Sequence, residues 1–180
     1  EYNTPIQIAL DPSGKHLLIA DIGNRRVRRI DLEKNEMSTV AGNGQKGIPP
    51  DGAEATAVPL MDPRGVVASP DGGLYVLERG GHALRYVDPA GKIRTVAGTG
   101  KPGFSPQDGP AQLVALNGPK HLCIDRDGSV LIADAENHVI RRYDPKTNMM
   151  ARVAGTGSKG DKGLGGPPLQ CQLNRPHGVR

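Results

Sequence analysis

Apolar residues fall in short runs along this chain, four or five long at most, as in Leu17-Leu18-Ile19-Ala20 and Val130-Leu131-Ile132-Ala133. Between them stand Gly, Pro, Asp and Asn, the residues that turn a backbone. Runs of this length between turn residues predict β-strands. No stretch outside the glycine-rich segments carries an i, i+3, i+4, i+7 apolar stripe, so no amphipathic helix is predicted. Residues 118–157 show the pattern in full. Strands are expected over 120–124, 129–133, 138–143 and 149–154, with Asp125-Arg-Asp-Gly128 and Asp144-Pro-Lys-Thr-Asn148 as turns. Leu17, Leu18 and Ile19 are apolar consecutively rather than alternately, so their sheet is expected to be covered on both faces.

The pattern recurs. Ala-Gly-x-Gly stretches begin at Ala41, Ala97 and Ala154, intervals of 56 and 57 residues. Ile19 to Asp21 returns as Val76 to Glu78 and Ile132 to Asp134, and Asn24 to Asp31 as Gly81 to Asp88 and Asn137 to Asp144. Pro5, Pro63 and Pro119 open the three units, and Pro176 opens the start of another. Fixed-period self-similarity marks a repeat architecture. Four-stranded antiparallel units covered on both faces describe the blades of a β-propeller. The fold class is therefore all-β: a single domain over 1–180, with blades at about 4–44, 62–100 and 118–157 joined by glycine-rich connectors at 45–61, 101–117 and 158–175.

The residues that carry this pattern resemble the NHL repeat. Pro63-Arg-Gly-Val66, Asp125 through Asp134, Asn137-His138 with Ile140-Arg-Arg142, and Thr95-Val-Ala-Gly-Thr-Gly100 match its landmarks. Asp108-Gly-Pro-Ala111 with Ala115-Leu116, and Asp51-Gly52 with Ala57, are similar to the long connector of the bacterial variant. Gln7 and His121 stand where the Pro-x-Gly glycine is expected, and unit two has Glu78 for Asp and Gly81 for Asn. The resemblance implies a propeller that is commonly six-bladed, so three units leave the ring half built. Two outcomes are expected of such a chain: a homodimer that closes the ring, which is favoured, or the remaining blades of a longer parent chain.

Composition narrows the function. The 180 residues include 25 Gly and 16 Pro spread along the whole length, which fits a turn-rich domain rather than a disordered linker. No apolar run approaches the roughly 20 residues of a membrane-spanning helix, and no basic-then-apolar signal segment opens the chain. Net charge is only +4, with no Trp and one Phe. Nucleic-acid binding is disfavoured, because single-stranded RNA wants stacking aromatics beside its cations. Cys123, in an apolar run, is expected to be buried, and Cys171 lies in a connector. Neither has a metal spacing, and two cysteines make no disulfide framework.

The candidate chemistry is sparse. Gly42 to Gly47, Gly98 to Gly103 and Gly155 to Gly160 each fit G-x-G-x-x-G. A dinucleotide site also needs a helix opening on the loop, and Phe104 to Pro110 and Asp161 to Pro168 are hostile to one. The loops are expected to be blade connectors. Asp21, Glu78 and Asp134 are expected to accept backbone N–H bonds at turns. The arginines Arg25, Arg26, Arg28, Arg29, Arg141 and Arg142 are expected on solvated strands, paired with acids such as Glu33, Glu36 and Asp144. Some NHL-like lyases hold a metal through channel histidines in a Pro-His-Gly pattern, present here at Pro176-His177-Gly178. The equivalent positions are Ile6, Arg64 and Lys120, whose cations disfavour a metal. No catalytic residue, metal site or cofactor is therefore assigned. The favoured reading is a non-enzymatic module that binds a protein or peptide, with an anionic ligand preferred, through Arg64, Lys120, His121 and His177 at the channel mouth. A metal-dependent propeller lyase or hydrolase and an RNA-binding domain are the alternatives.

Overall fold

The computed structural model describes all 180 residues. They form three antiparallel sheets and no α-helix. The first sheet, blade 1, runs in order through β1 (Pro5–Leu10), β2 (His16–Asp21), β3 (Arg26–Asp31) and β4 (Glu36–Ala41). Blade 2 is built from β6 (Pro63–Ala68), β7 (Leu74–Glu78), β8 (Ala83–Val87) and β9 (Lys92–Ala97), with a short outer strand β5 (Ala53–Glu54) beside β9. Blade 3 has β11 (His121–Ile124), β12 (Val130–Asp134), β13 (Val139–Asp144) and β14 (Met149–Ala154), with β10 (Gly109–Pro110) outside β14. The four-strand units and their order stand as expected, each boundary within one residue in blade 3. The fifth strands were not expected. They are two residues long, too short for any period to register.

Those edge strands show what the connectors do. Each connector leaves the outermost strand of one blade, runs along the outer edge of the next, and then drops to its innermost strand. The backbone N–H groups of Gly42, Gly98 and Gly155 bond the carbonyls of Ala55, Ala111 and Pro168, at 2.8, 2.9 and 3.0 Å. Each of these glycines has φ between +85° and +91°. A Cβ there would lie 2.2 to 2.3 Å from the carbonyl oxygen of Arg25, His82 or His138. Glycine is required twice over, by the left-handed backbone and by the close approach.

The core lies between blades rather than within them. Leu18, Ala20, Val27 and Ala41 of blade 1 meet Val66, Val76, Val87 and Ile93 of blade 2. Tyr75, Leu77, Leu84 and Val96 of blade 2 meet Leu122, Ile132, Tyr143 and Met150 of blade 3. Successive strand residues point to opposite faces, so each blade offers one face to the blade before it and the other to the blade after. Blade 2 is buried on both faces; blade 1, whose run Leu17-Leu18-Ile19 predicted the same, has Ile8 and Met37 exposed on one face, because within the chain only blade 2 packs on it. Cys123, expected inside, is only half-buried, because its face of blade 3 has nothing packed on it.

Gln7 ties the three inner strands together. Its side-chain amide donates to the carbonyls of Val66 at 3.4 Å and Leu122 at 3.2 Å, across both neighbouring blades. These are inner-edge carbonyls with no strand beyond them. Gly65 makes room for this bridge: a Cβ there would sit 2.6 Å from Gln7 Oε1 and 2.4 Å from Leu122 Cδ2.

Candidate functional site

Every blade carries the same buried clasp at the end of its second strand. In blade 3, Asp134 accepts the Asn117 N–H at 2.7 Å, the Asn137 amide at 2.8 Å and Arg141 Nε at 2.8 Å. In blade 1, Asp21 accepts from Asn3 N–H, Asn24 and Arg28 at 2.9, 2.8 and 3.3 Å. In blade 2, Glu78 accepts from Met61 N–H at 2.6 Å and Arg85 Nε at 2.7 Å. The acids cap the segment that enters each blade, as expected. The arginines were misjudged: Arg28 and Arg141 face inward onto these acids, not outward onto Glu33, Glu36 or Asp144. The strand period assigns alternate residues to opposite faces, but it does not say that both faces are dry.

The clasps differ in electrostatics. Burial pushes the carboxyls of Glu78 and Asp134 up, against the pull of Arg85 and Arg141 respectively. Burial acts the same way on Asp21, but Asn24, the Asn3 N–H and Arg28 together outweigh it and hold that carboxyl below its ordinary value. A second repeated contact joins consecutive blades. His82 Nδ1 accepts the Gly118 N–H at 3.1 Å, and His138 Nδ1 accepts the Arg175 N–H at 3.0 Å. Both histidines sit in left-handed backbone, at φ +47° and +55°. Both contacts serve the fold.

The cationic group lies at the end of the arc where the inner strands begin. The Lys120 ammonium, itself buried, donates to His177 Nε2 at 2.7 Å and lies 3.7 Å from the Glu136 carboxylate. Arg175 also reaches Glu136, at 2.5 Å. The Nε of Arg64 is buried with no hydrogen-bond partner. Burial lowers Lys120, and the charges of Arg175, Arg64 and Arg79 lower it further. Arg64 is lowered by burial and by Arg79. His177 is lowered chiefly by Lys120, whose ammonium lies against its Nε2. Lys120 and Arg175 thus share the Glu136 carboxylate, with Arg64 and Arg79 near enough to repel Lys120, and a partly desolvated excess of positive charge favours an anion.

Of the residues singled out in the sequence, Arg64, Lys120 and His177 come together here. His121 does not join them; its Nδ1 accepts the Val179 N–H at 3.4 Å. Arg79, Glu136 and Arg175 were missed. Arg79 and Glu136 follow the second strands and reach this end because the first two strands of each blade pair antiparallel, and no local motif marks them. The donors do not fit a metal: His177 is taken up by an ammonium, and no three His, Cys, Asp or Glu side chains gather anywhere in the chain.

The teneurin NHL domain family model matches residues 3–107. The chain belongs to the NHL-repeat family. It is 34% identical over 148 residues to SUPPRESSOR OF QUENCHING 1, a chloroplastic protein of Arabidopsis thaliana, covering 78% of this chain and 14% of that protein. It is 28% identical over 185 residues to mouse teneurin-3, covering 92% of this chain and 6% of that protein. The chain therefore spans a small part of the length of these NHL relatives. Among solved structures, a Bacteroides thetaiotaomicron protein of unknown function superposes with a TM-score of 0.72 at 20% identity, over 95% of this chain and 40% of the other. That likeness concerns the propeller fold.

Proposed function

We propose that this NHL domain is a non-enzymatic binding module that takes an acidic protein or peptide segment at the channel end formed by Arg64, Lys120 and His177. The observation that carries this reading is the charge balance there: Arg64, Lys120, Arg79 and Arg175 outnumber the carboxylates of Glu136 and Asp62, and Arg64 Nε is buried and unpartnered. A carboxylate would supply the missing acceptor. Hydrogen bonds to charged groups contribute about 1.5–3 kcal/mol each, and buried arginines make them in a fixed fork geometry.

The test is fluorescence anisotropy with a labelled oligoglutamate peptide, at low and at physiological salt. Lys120→Met and Arg64→Met keep most of the side-chain volume and remove the charge. Each is expected to weaken binding about tenfold or more. A control at Arg126, on an exposed turn remote from the group, is expected to leave affinity unchanged. Equal affinity for the wild type and both variants, or an RNA oligonucleotide that outcompetes the peptide, would overturn the reading.

A further inference from the structure

We infer that the outer rim between blades 2 and 3 holds a second binding site, for a free α-amino acid with an apolar side chain. The cavity there measures about 540 Å³, within the range of about 300–1,000 Å³ that small-ligand sites occupy. Its walls come from β9, from both connectors beside it and from the β13–β14 turn, so it depends on neither outer face of the arc. It shares no residue with the cationic channel end.

Two opposite charges line the cavity, and each has bonding capacity to spare. The Arg94 guanidinium carbon lies 4.6 Å from the Tyr86 ring centroid, a stack that fixes the plane of its donors. No carboxylate of the chain pairs with it. Asp51 Oδ1 accepts the Thr95 N–H at 2.8 Å and the Thr95 hydroxyl at 3.0 Å, which leaves the second carboxylate oxygen to accept. Two amides are likewise half used. Gln112 Nε2 donates to the Thr95 carbonyl at 2.7 Å, which leaves its Oε1, and Asn148 Oδ1 accepts the Tyr143 hydroxyl at 3.0 Å, which leaves its N–H groups. The Asp51 charge disfavours a simple anion, and the Arg94 charge disfavours a metal or a simple cation. A zwitterion satisfies both. A sugar ring finds no free aromatic face, because Arg94 already covers Tyr86.

The junction of blades 1 and 2 shows that the fold does not require these side chains. There the positions of Arg94, Gln112, Leu113 and Asn148 are held by Ser38, Thr56, Ala57 and Gly91. The rim changes character as well. Glu54 and Lys92, opposite each other in the β5–β9 ladder, form an ion pair at 2.5 Å. The same positions of the β10–β14 ladder are Pro110 and Met149. Met149 is 42% exposed and Leu113 73%. With Val96 and Ala111 in the wall, these side chains set apolar surface beside the two charges. An apolar side chain on the ligand removes that surface from water.

Isothermal titration calorimetry with L-leucine and L-phenylalanine tests this. At least one is expected to bind with a Kd below about 1 mM. The amide of that amino acid, which lacks the carboxylate, and its N-acetyl form, which lacks the ammonium, are each expected to bind about tenfold more weakly or worse. Arg94→Met should weaken the amino acid by a similar factor and leave the amide form unchanged. Asp51→Asn keeps the oxygen that serves Thr95; it should weaken the amino acid and leave the N-acetyl form unchanged. Both residues are exposed, and circular dichroism checks that each variant keeps its strands. Lys120→Met should leave this binding intact, so the rim site and the channel end are judged separately. Failure of both amino acids to bind at about 1 mM, equal affinity of the amide and N-acetyl forms, an Arg94→Met variant of unchanged affinity, or binding of glucose in their place would each overturn the proposal.

Discussion

Blade 1 and blade 3 are built on one plan and hold it together differently. In blade 3 the clasp pair Asp134 and Arg141 is fully buried, with Arg141 Nη2 also donating to the Ser105 carbonyl and its guanidinium 5.7 Å from the Phe104 ring centroid. In blade 1 the partner of Asp21 is Arg28, whose side chain is 17% exposed and whose Nη1 turns to Thr39 Oγ1 at 2.5 Å. Blade 3 also has the His138 contact to the chain that follows, while blade 1 places Arg25 at that position, with its Nε buried and unpartnered. The lesson is that one motif is worth different amounts in different surroundings. Both acids are fully buried; what differs is the arginine, which is enclosed in blade 3 and borders solvent in blade 1, so the blade 3 pair is the costlier to break.

The largest separation is expected from removing each clasp arginine. Arg141→Met removes a fully buried guanidinium that also holds the Ser105 carbonyl, and should cost about 3–5 kcal/mol by urea denaturation. Arg28→Met removes a guanidinium that borders solvent and should cost about 1–2 kcal/mol; in both blades the two other donors still serve the acid. Equal losses would mean that blade position does not set the value of the clasp.

Blade 2 offers the next test, because its two departures from the repeat are one compensated change. Asn24 and Asn137 donate to the clasp acid in the other blades. In blade 2 the acid is one methylene longer and the asparagine is Gly81, where a Cβ would lie 2.5 Å from Glu78 Oε2. Gly81→Asn alone should therefore destabilise by about 1–3 kcal/mol. The double variant with Glu78→Asp should recover most of that loss, which a double-mutant cycle measures.

Acid should separate the blades more gently. The Asp21 carboxyl is lowered in the folded chain, so its contribution is present above its ordinary value of 3.8 and is lost as pH falls. Glu78 and Asp134 are raised, so their contribution is largest below their ordinary values and declines as pH rises through the folded ones. Hydrogen exchange corrected for intrinsic rates, between about pH 6 and about pH 3, should show β1–β4 losing protection before β11–β14. Greater loss in β11–β14 would reverse the assignment.

The smallest effect concerns the inter-blade histidine. Burial lowers His82, so its bond to Gly118 is intact above the ordinary value of 6.5 and weakens as pH falls below it. His82→Asn, which tolerates left-handed backbone, should cost about 1 kcal/mol above that pH and less below it. The same substitution at Arg25 should cost little at either pH.

The repeat, the strands and the role of the glycine loops were legible in the chain, because each rests on local geometry. Gly42, Gly98 and Gly155 recur because each must come within contact of a carbonyl, and the Gly- and Pro-rich sequels such as Phe104 to Pro110 leave no room for a nucleotide helix. The turn acids were legible for the same reason. What the pattern could not say is which face each strand residue meets. Arg141 read as a surface residue until two sheets enclosed it, Arg28 until the Asp21 carboxylate drew it in, and Cys123 read as core until its face was found uncovered. The cationic end shows the divide most clearly. Arg64, Lys120 and His177 share a repeat position and could be aligned on paper, but Arg79 and Glu136 joined them through the antiparallel pairing of the first two strands in their own blades, and the three positions met only when the blades stacked. Local sequence determines turns and strands through backbone sterics and period. Only the packing of one sheet on the next decides what is dry, what is charged and what remains open to a partner.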